Sequence, residues 1–418
     1  MAGPGARIPV TAMSLVSAMG RTTSDVLAAL DGGRSGLRSP DMLDGLELPL
    51  PFHTVVGAVP GALDPLPPTD RRYDTRLARI GLMALDEIRP AIERAINRWG
   101  RHRIAVLIGT STGGLDATEA AFRRWGESGG PDGGKLPDDF DLHAQHDFNA
   151  LGELVRRTLG VTGPNYVVST ACSSSGKVHA SAMRLMQLGV IDAAVVGGID
   201  SLCRMTLHGF HGLGILSSTH CKPFAADRAG INIGEGAGLM LLERSTDRTD
   251  AEALAFLLGV GESSDAYNMS SPEPSGRGAK EAMFRALAQA GLTPQEVGLL
   301  IAHGTATPQN DVAESAAVEA VLGPSTPVIS TKGYTGHQLG AAGATSAVFA
   351  AHVARTGRIP RSLGADPIDP AIRVNVLANG RDEGPCDVVM CNAFAFGGSN
   401  VSLAIASPAW AARAGGRT

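Results

Sequence analysis

Aromatic side chains are scarce in this chain: Phe, Trp and Tyr make up 4% of its 418 residues, while glycine occurs 53 times. That balance suits tight turns and close helix–sheet contacts, not aromatic stacking platforms. Positive charge is short as well, with a formal net charge of −5, so nothing in the composition attracts phosphate generally and nucleic-acid binding is excluded as the main function. No apolar stretch is long enough to span a bilayer. The run from Val10 to Met19 has the length of a signal-peptide core but lacks a strongly basic flank before it and continues into Gly20 and Arg21, which predicts a first strand ending in a turn. The five cysteines, Cys172, Cys203, Cys221, Cys386 and Cys391, form no C-x-x-C pair and no disulfide rhythm, which fits a reducing cytoplasm.

What is present is a 44% hydrophobic content, sufficient for a sizeable core, and an alternation of strand-like and helical patterns. Strand-like runs fall at 104–108, 166–170, 193–196, 238–242, 299–302, 388–391 and 401–405, which predicts an α/β architecture of βα units. Residues 127–141 read as an exposed insertion and 410–418 as a frayed tail.

Three separated segments carry chemistry. Around Cys172 the sequence TACSSSG follows a strand-like run and opens a helical one. Small residues there permit a tight turn and close approach of a substrate, and the N-terminus of the next helix favours thiolate over thiol. His303 in AHGTATPQND follows an apolar run, at a strand's carboxyl end, where α/β sheets keep ligands. His337 in STKGYTGHQLGAAGA sits in a glycine-rich turn entering a helix; packing explains those glycines but not the imidazole. A thiol and two imidazoles are the parts of a carbon–carbon bond-forming condensation.

Other motifs carry less. Ser174 and Lys177 form an S-x-x-K pair without its K-T-G and S-D-N companions. His143/His146 and His208/His211 have i,i+3 spacing but no ligand set to complete a metal site. Gly113-Gly114 and the glycines of 234–238 match neither a dinucleotide nor a Walker loop.

Together the three segments, with VVGGID (195–200), KPFAADRAGINIGEGAG (222–238), GESSDAYNMSSP (261–272) and NAFAFGGSNVSL (392–403), resemble the β-ketoacyl-acyl carrier protein synthases of the KAS I/II type, within the thiolase-like condensing enzymes. DSLCRMTLHGF from Asp200 and the wording HGTATPQND resemble most the stand-alone synthases of aryl-polyene-type pathways.

The resemblance implies a thiolase-like duplicated α/β/α/β/α five-layer fold, with a first half over 1–258 carrying the nucleophile, a second over 259–409 carrying the histidines, and a tail over 410–418. It implies that Cys172 stores an acyl group, that the backbone N–H groups of Cys172 and Phe396 form an oxyanion hole, and that neutral His303 and His337 stabilise the enolate left when malonyl-acyl carrier protein loses carbon dioxide. Lys332 and Glu314 match a buried charged pair organising the histidines, Thr305 and Thr307 match contacts to the pantetheine arm, and Phe396, Gly397 and Gly398 match an acyl gate. No metal or dissociable cofactor is implied.

Acyl carrier protein is the implied partner, with Arg71, Arg72, Arg123 and Arg124 matching its docking cations and Arg76 and Arg79 following on the same helix. A homodimer, or a heterodimer with a related ketosynthase-like subunit, is also implied. The alternative is a non-catalytic chain-length partner of the same fold, which lacks the nucleophile and usually a histidine. A degradative thiolase needs a second catalytic cysteine, and neither Cys386 nor Cys391 has the expected surroundings. The chain departs from the fatty-acid members at Ala225, Ala229 and Ile231, and Thr112 stands in the acyl-pocket position where an aliphatic residue is usual. Its hydroxyl suits either another acyl type or a bond to local backbone.

Overall fold

A computed structural model describes residues 7–381, 384 and 386–414. Among these, eleven strands form one mixed sheet: β1 (Ile8–Ser17), β2 (Ile104–Gly109), β3 (Asn165–Val168), β4 (Ala193–Asp200), β5 (Gly236–Glu243), β6 (Ala255–Ser264), β7 (Leu299–Ile301), β8 (Pro327–Ile329), β9 (Asn375–Val376), β10 (Val388–Ala395) and β11 (Ser399–Ala406). Their order is β3-β2-β4-β5-β1-β6-β11-β10-β7-β8-β9. Apart from the short β9, that order is a duplication. In the first half β3, β2 and β4 run parallel while β5 and β1 are antiparallel. The second half repeats this outward from β6, with β11 and β10 antiparallel and β10, β7 and β8 parallel. The two halves join where β1 pairs with β6.

The buried strands read as near-continuous apolar runs, as strands covered on both faces do; every residue of β2, β4 and β5 is buried. Two helices, Ser174–Gln187 and Ala342–Thr356, contact strands of both halves and form the middle layer. In the latter, every residue from Ala342 to Ala354 is buried, because a helix between the two halves of the sheet has no solvent face to keep polar. Helices Arg76–Trp99 and Phe148–Leu159 cover the first half, and Arg277–Ala290 with Pro308–Leu322 cover the second. This is the expected five-layer thiolase-like arrangement, with a core on each side of each sheet half.

Several expectations need correction. The boundary at 258/259 cuts β6 in two; the halves divide just before Ala255, where the chain passes from the Asp247–Glu252 helix into the strand. The tail is structured through 414: Pro408–Ala414 is a helix with Ala411 buried and Trp410 packed against the second-half core, while 415–418 lie outside the described residues. The strand expected at 166–170 ends at Val168, because Thr170 bridges to Cys172 in the turn. The run at 10–19 is a strand ending in a turn, as expected: 10–17 lie in β1, in the middle of the sheet, and Ala18 and Met19 in the turn. Residues 127–141 form a largely exposed connection holding a short 3-10 turn, Gly130–Asp132. Among the described residues no helix is long and apolar enough to cross a membrane.

Candidate active site

The duplication brings the chemistry together. Cys172 lies between β3 and the middle-layer helix Ser174–Gln187; His337 lies between β8 and the other middle-layer helix, at the corresponding place of the second half; His303 follows β7. Tight backbone approach fixes the first of these. A Cβ on Gly109 would sit 2.4 Å from Ser175 N, and one on Gly198 2.4 Å from Ser175 Cβ, so glycine in β2 and β4 lets the start of the cysteine's helix press onto the sheet. Non-glycine residues with positive φ mark all three segments: Ala171 (50°), Ala306 (63°) and Leu339 (49°). Such strain persists only where surrounding structure imposes it.

Cys172, His303, His337, Thr305, Thr307, Glu314 and Phe396 all line one cavity of about 240 Å³, with Phe210, Leu213, Ile215 and Ile231 on an apolar side. Thr305 and Thr307 bond each other at 2.9 Å. Phe396 is 37% exposed and its ring lies 5.8 Å from Phe210. Next to it, Gly397 (φ 80°) donates its N–H to Met269 O, and Gly398 (φ 76°) is so close to Asp265 that a Cβ would meet Asp265 Cβ at 2.7 Å.

The electrostatics correct one expectation. Burial pushes the Cys172 thiol up to about 12, and Asp200 adds to the rise; the Lys332 charge and the N–H groups of Cys172 and Phe396, both directed at the sulfur, oppose it. Burial therefore favours the thiol at neutral pH, against the thiolate that the helix N-terminus alone suggests. The N–H groups of Cys172 and Phe396 nevertheless converge at the sulfur.

Both imidazoles are held well below their usual range, by burial first and then by Lys332, with His337 adding to the effect on His303. They are neutral, and their partners set the tautomer. Leu339 N–H donates to His337 Nδ1 at 3.1 Å, and Lys332 Nζ lies 3.3 Å from His303 Nδ1 while also donating to His303 O. With both Nδ1 atoms accepting, each Nε2 carries the hydrogen. The rings lie edge to face, centroids 5.1 Å apart, presenting two neutral donors. Glu314 accepts from His303 N–H and Gly304 N–H at 2.8 Å each. Lys332 and Glu314, both buried, therefore hold the same histidine, without a direct salt bridge to each other.

Thr112 does not line the cavity. Its hydroxyl and N–H bond Asp200 Oδ1 at 2.6 and 2.9 Å, alongside Thr110 and Ser111. Its hydroxyl thus bonds locally, to a buried carboxylate side chain instead of the backbone foreseen, and ties the ends of β2 and β4 together. Of the expected docking arginines, Arg72 pairs with Asp141 and Arg124 with Asp139, whereas Arg71 and Arg123 are exposed and enter no ion pair among the described residues. Arg76 and Arg79 turn inward to Glu235 and Asp74. Arg71 and Arg72 lie on the 3-10 turn Pro68–Tyr73, ahead of the helix they were expected to open. His143 and His146 belong to a single helical turn and its cap, His146 Nδ1 meeting Thr118, and His208 and His211 pack on Phe52.

Sequence reasoning missed Asp200, Leu339 and Asn392. Asp200 and Asn392 had a visible signal, a polar residue within or ending an apolar strand; the Leu339 contribution is a backbone N–H and has none.

Comparisons with known proteins find relatives over most of the chain. Residues 6–248 match the family description "Beta-ketoacyl synthase, N-terminal domain" and residues 254–366 "Beta-ketoacyl synthase, C-terminal domain". The chain is 32% identical over 409 residues to Nodulation protein E of Rhizobium meliloti (strain 1021), covering 95% of this chain and 98% of that one. It is 32% identical over 348 residues to 3-oxoacyl-(acyl-carrier-protein) synthase 2 of Staphylococcus aureus, covering 80% and 85%. Among solved structures, it resembles a chain of the ketosynthase ApeO in complex with its chain length factor ApeC from Xenorhabdus doucetiae, with a TM-score of 0.87, 37% identity and coverage of 96% and 98%. It also resembles a chain of the ishigamide ketosynthase/chain length factor, with a TM-score of 0.85, 26% identity and coverage of 96% and 99%.

Proposed function

The chain belongs to the beta-ketoacyl synthase family, and we propose that it performs the family's condensation with Cys172 as acyl carrier and His303 and His337 as enolate stabilisers. It is a 3-oxoacyl-acyl-carrier-protein synthase, an acyltransferase of fatty-acid or polyketide chain elongation. The observation that carries the residue assignment is the convergence, in one cavity, of a thiol whose ionisation the N–H groups of Cys172 and Phe396 favour with two neutral Nε2–H donors.

The acyl thioester arrives on the pantetheine arm of a carrier protein, past Thr305 and Thr307. Cys172 sulfur attacks its carbonyl, the N–H groups of Cys172 and Phe396 hold the developing oxyanion, and the carrier thiol leaves with the proton that Cys172 gives up. A malonyl thioester then takes the carrier's place. Its carboxylate departs as carbon dioxide, and the electron pair of the broken bond becomes an enolate whose oxygen receives hydrogen bonds from His303 and His337. Neutral donors suit this step, because a mobile cation beside the carboxylate would favour keeping it. The enolate carbon attacks acyl-Cys172, the thioester breaks, and the departing sulfur takes a proton from solvent. Phe396 with Gly397 and Gly398 gates the acyl chain.

The wording of DSLCRMTLHGF and HGTATPQND supports a polyene-type acyl substrate, and the 37% likeness to a chain of a ketosynthase–chain length factor complex supports a dimer with a like or related subunit. Arg71 and Arg123 are the proposed docking cations left open by the pairing of Arg72 and Arg124. The test is intact mass after incubation with saturated and conjugated acyl-carrier proteins: the wild type gains one acyl group, conjugated chains load in preference, and Cys172→Ala gains none. Acylated mass on Cys172→Ala would refute the assignment.

A further inference from the structure

Strand β10 places one polar side chain between Met390 and Phe394, on the face that meets the second-half core: Asn392, 1% exposed. Its Nδ2 donates to Glu314 Oε1 at 3.1 Å and reaches toward Met283 Sδ at 3.6 Å, while Oδ1 is buried without a protein partner. A leucine of near-equal shape would pack there among Met283, Met390 and Phe394 with no orphaned acceptor. What the asparagine offers that leucine cannot is its N–H donor. The recipient needs one, since a carboxylate already accepting the N–H groups of His303 and Gly304 can pair with the NH2 end of an amide but not with its oxygen. Burial lifts Glu314 above the ordinary carboxylate range, and the bonds from Gly304, Asn392 and His303 oppose that rise.

The chain of contacts continues in both directions. Beyond Glu314 stand the His303 backbone and, on its far side, Lys332 at His303 O and Nδ1. Along β10, Phe394 places its ring 5.9 Å from that of His303, and two residues later Phe396 presents its N–H to Cys172. One strand thus braces the histidine and ends at the sulfur.

We propose that Asn392 is a positioning residue for the decarboxylation step: its N–H donor fixes the Glu314 carboxylate, and through it the His303 backbone, so that Nε2–H faces the cavity in register with the donor at Phe396. The inference rests on the condensing role proposed above.

Two variants test it, each assayed for acyl loading of Cys172, for condensation, and for melting temperature. Asn392→Asp replaces the donor with a second carboxyl, and the two groups keep their hydrogen bond only while sharing a proton. Its condensation is expected near wild type at pH 6 and lower by about 10–10²-fold at pH 8, the scale seen when a supporting hydrogen bond to a reactive group is lost, with loading within about threefold at both. Asn392→Leu is expected to keep its melting temperature and loading and to lose condensation at both pH values. The proposal is overturned if Asn392→Leu condenses like wild type. It is equally overturned if both variants lose loading and condensation together without pH dependence, which would make Asn392 a fold residue. A wild-type protein that fails to load or condense would overturn the underlying function, an outcome seen before either variant is compared.

Discussion

Burial leaves Cys172 protonated at neutral pH, so the proposed nucleophile becomes reactive only as its proton departs. Alkylation of the free protein by iodoacetamide should therefore accelerate about tenfold per pH unit from 7 to 10 without levelling; a plateau near pH 7 would mean a resting thiolate. The imidazoles behave oppositely. Their folded-state affinity for protons lies well below the usual value, so they stay neutral as pH falls from 8 to 6, and the decarboxylation rate at saturating malonyl carrier should be flat over that range. A limb centred near 6.5 would show a histidine titrating. His303→Ala and His337→Ala should each slow decarboxylation by about 10²–10³-fold, by analogy with removing one oxyanion donor, with loading of Cys172 less affected; equal losses in both half-reactions would indicate a general defect. The reacting residues were legible because their flanks are unusual: small residues after Cys172, hydroxyls after His303, glycines around His337. Leu339 was not legible, since its contribution is a backbone N–H that any side chain could accompany, and Asn392 lay in a quoted motif with nothing to name its partner.

Elements hold the site through close approach. If the start of the Ser174–Gln187 helix reaches β2 and β4 only because Gly109 and Gly198 lack a Cβ, then Gly109→Ala must shift helix or strand. It should destabilise the protein by about 1–3 kcal/mol in urea unfolding and reduce acyl loading. Unchanged loading would show that Cys172 tolerates the displacement. The parallel strands were visible as apolar runs, and their helices as the stretches between. The duplication was not, because β2 and β7, or β3 and β8, share position and direction but only a general demand for apolar residues. β6 was likewise cut by the expected boundary, since its glycine-broken sequence, AFLLGVGESS, lacks a clear edge; Gly259 and Gly261 are there to admit the Arg277–Ala290 helix, whose backbone a Cβ would meet.

At the scale of the whole molecule, a chain of net charge −5 would need local cations to receive the acidic carrier that the resemblance implies. Exposed charges steer encounter and are screened by salt, with a Debye length of roughly 8 Å at physiological ionic strength. Arg71→Glu with Arg123→Glu should raise the apparent KM for carrier-bound substrate, most at low salt, and leave a small pantetheine thioester unaffected. Asp139→Asn with Asp141→Asn, which frees Arg124 and Arg72, should act in the opposite direction by no more than a few-fold, as surface pairs are weak. If carrier-bound and carrier-free substrates respond alike, docking lies elsewhere. The most direct test of the whole account is a single turnover: protein acylated on Cys172, freed of excess donor, is mixed with malonyl-carrier protein labelled in its free carboxylate. The account predicts one labelled carbon dioxide and one 3-ketoacyl carrier formed for each acyl group lost from Cys172. Carbon dioxide released with the acyl group still on Cys172, or acyl loss without a 3-ketoacyl product, would contradict it.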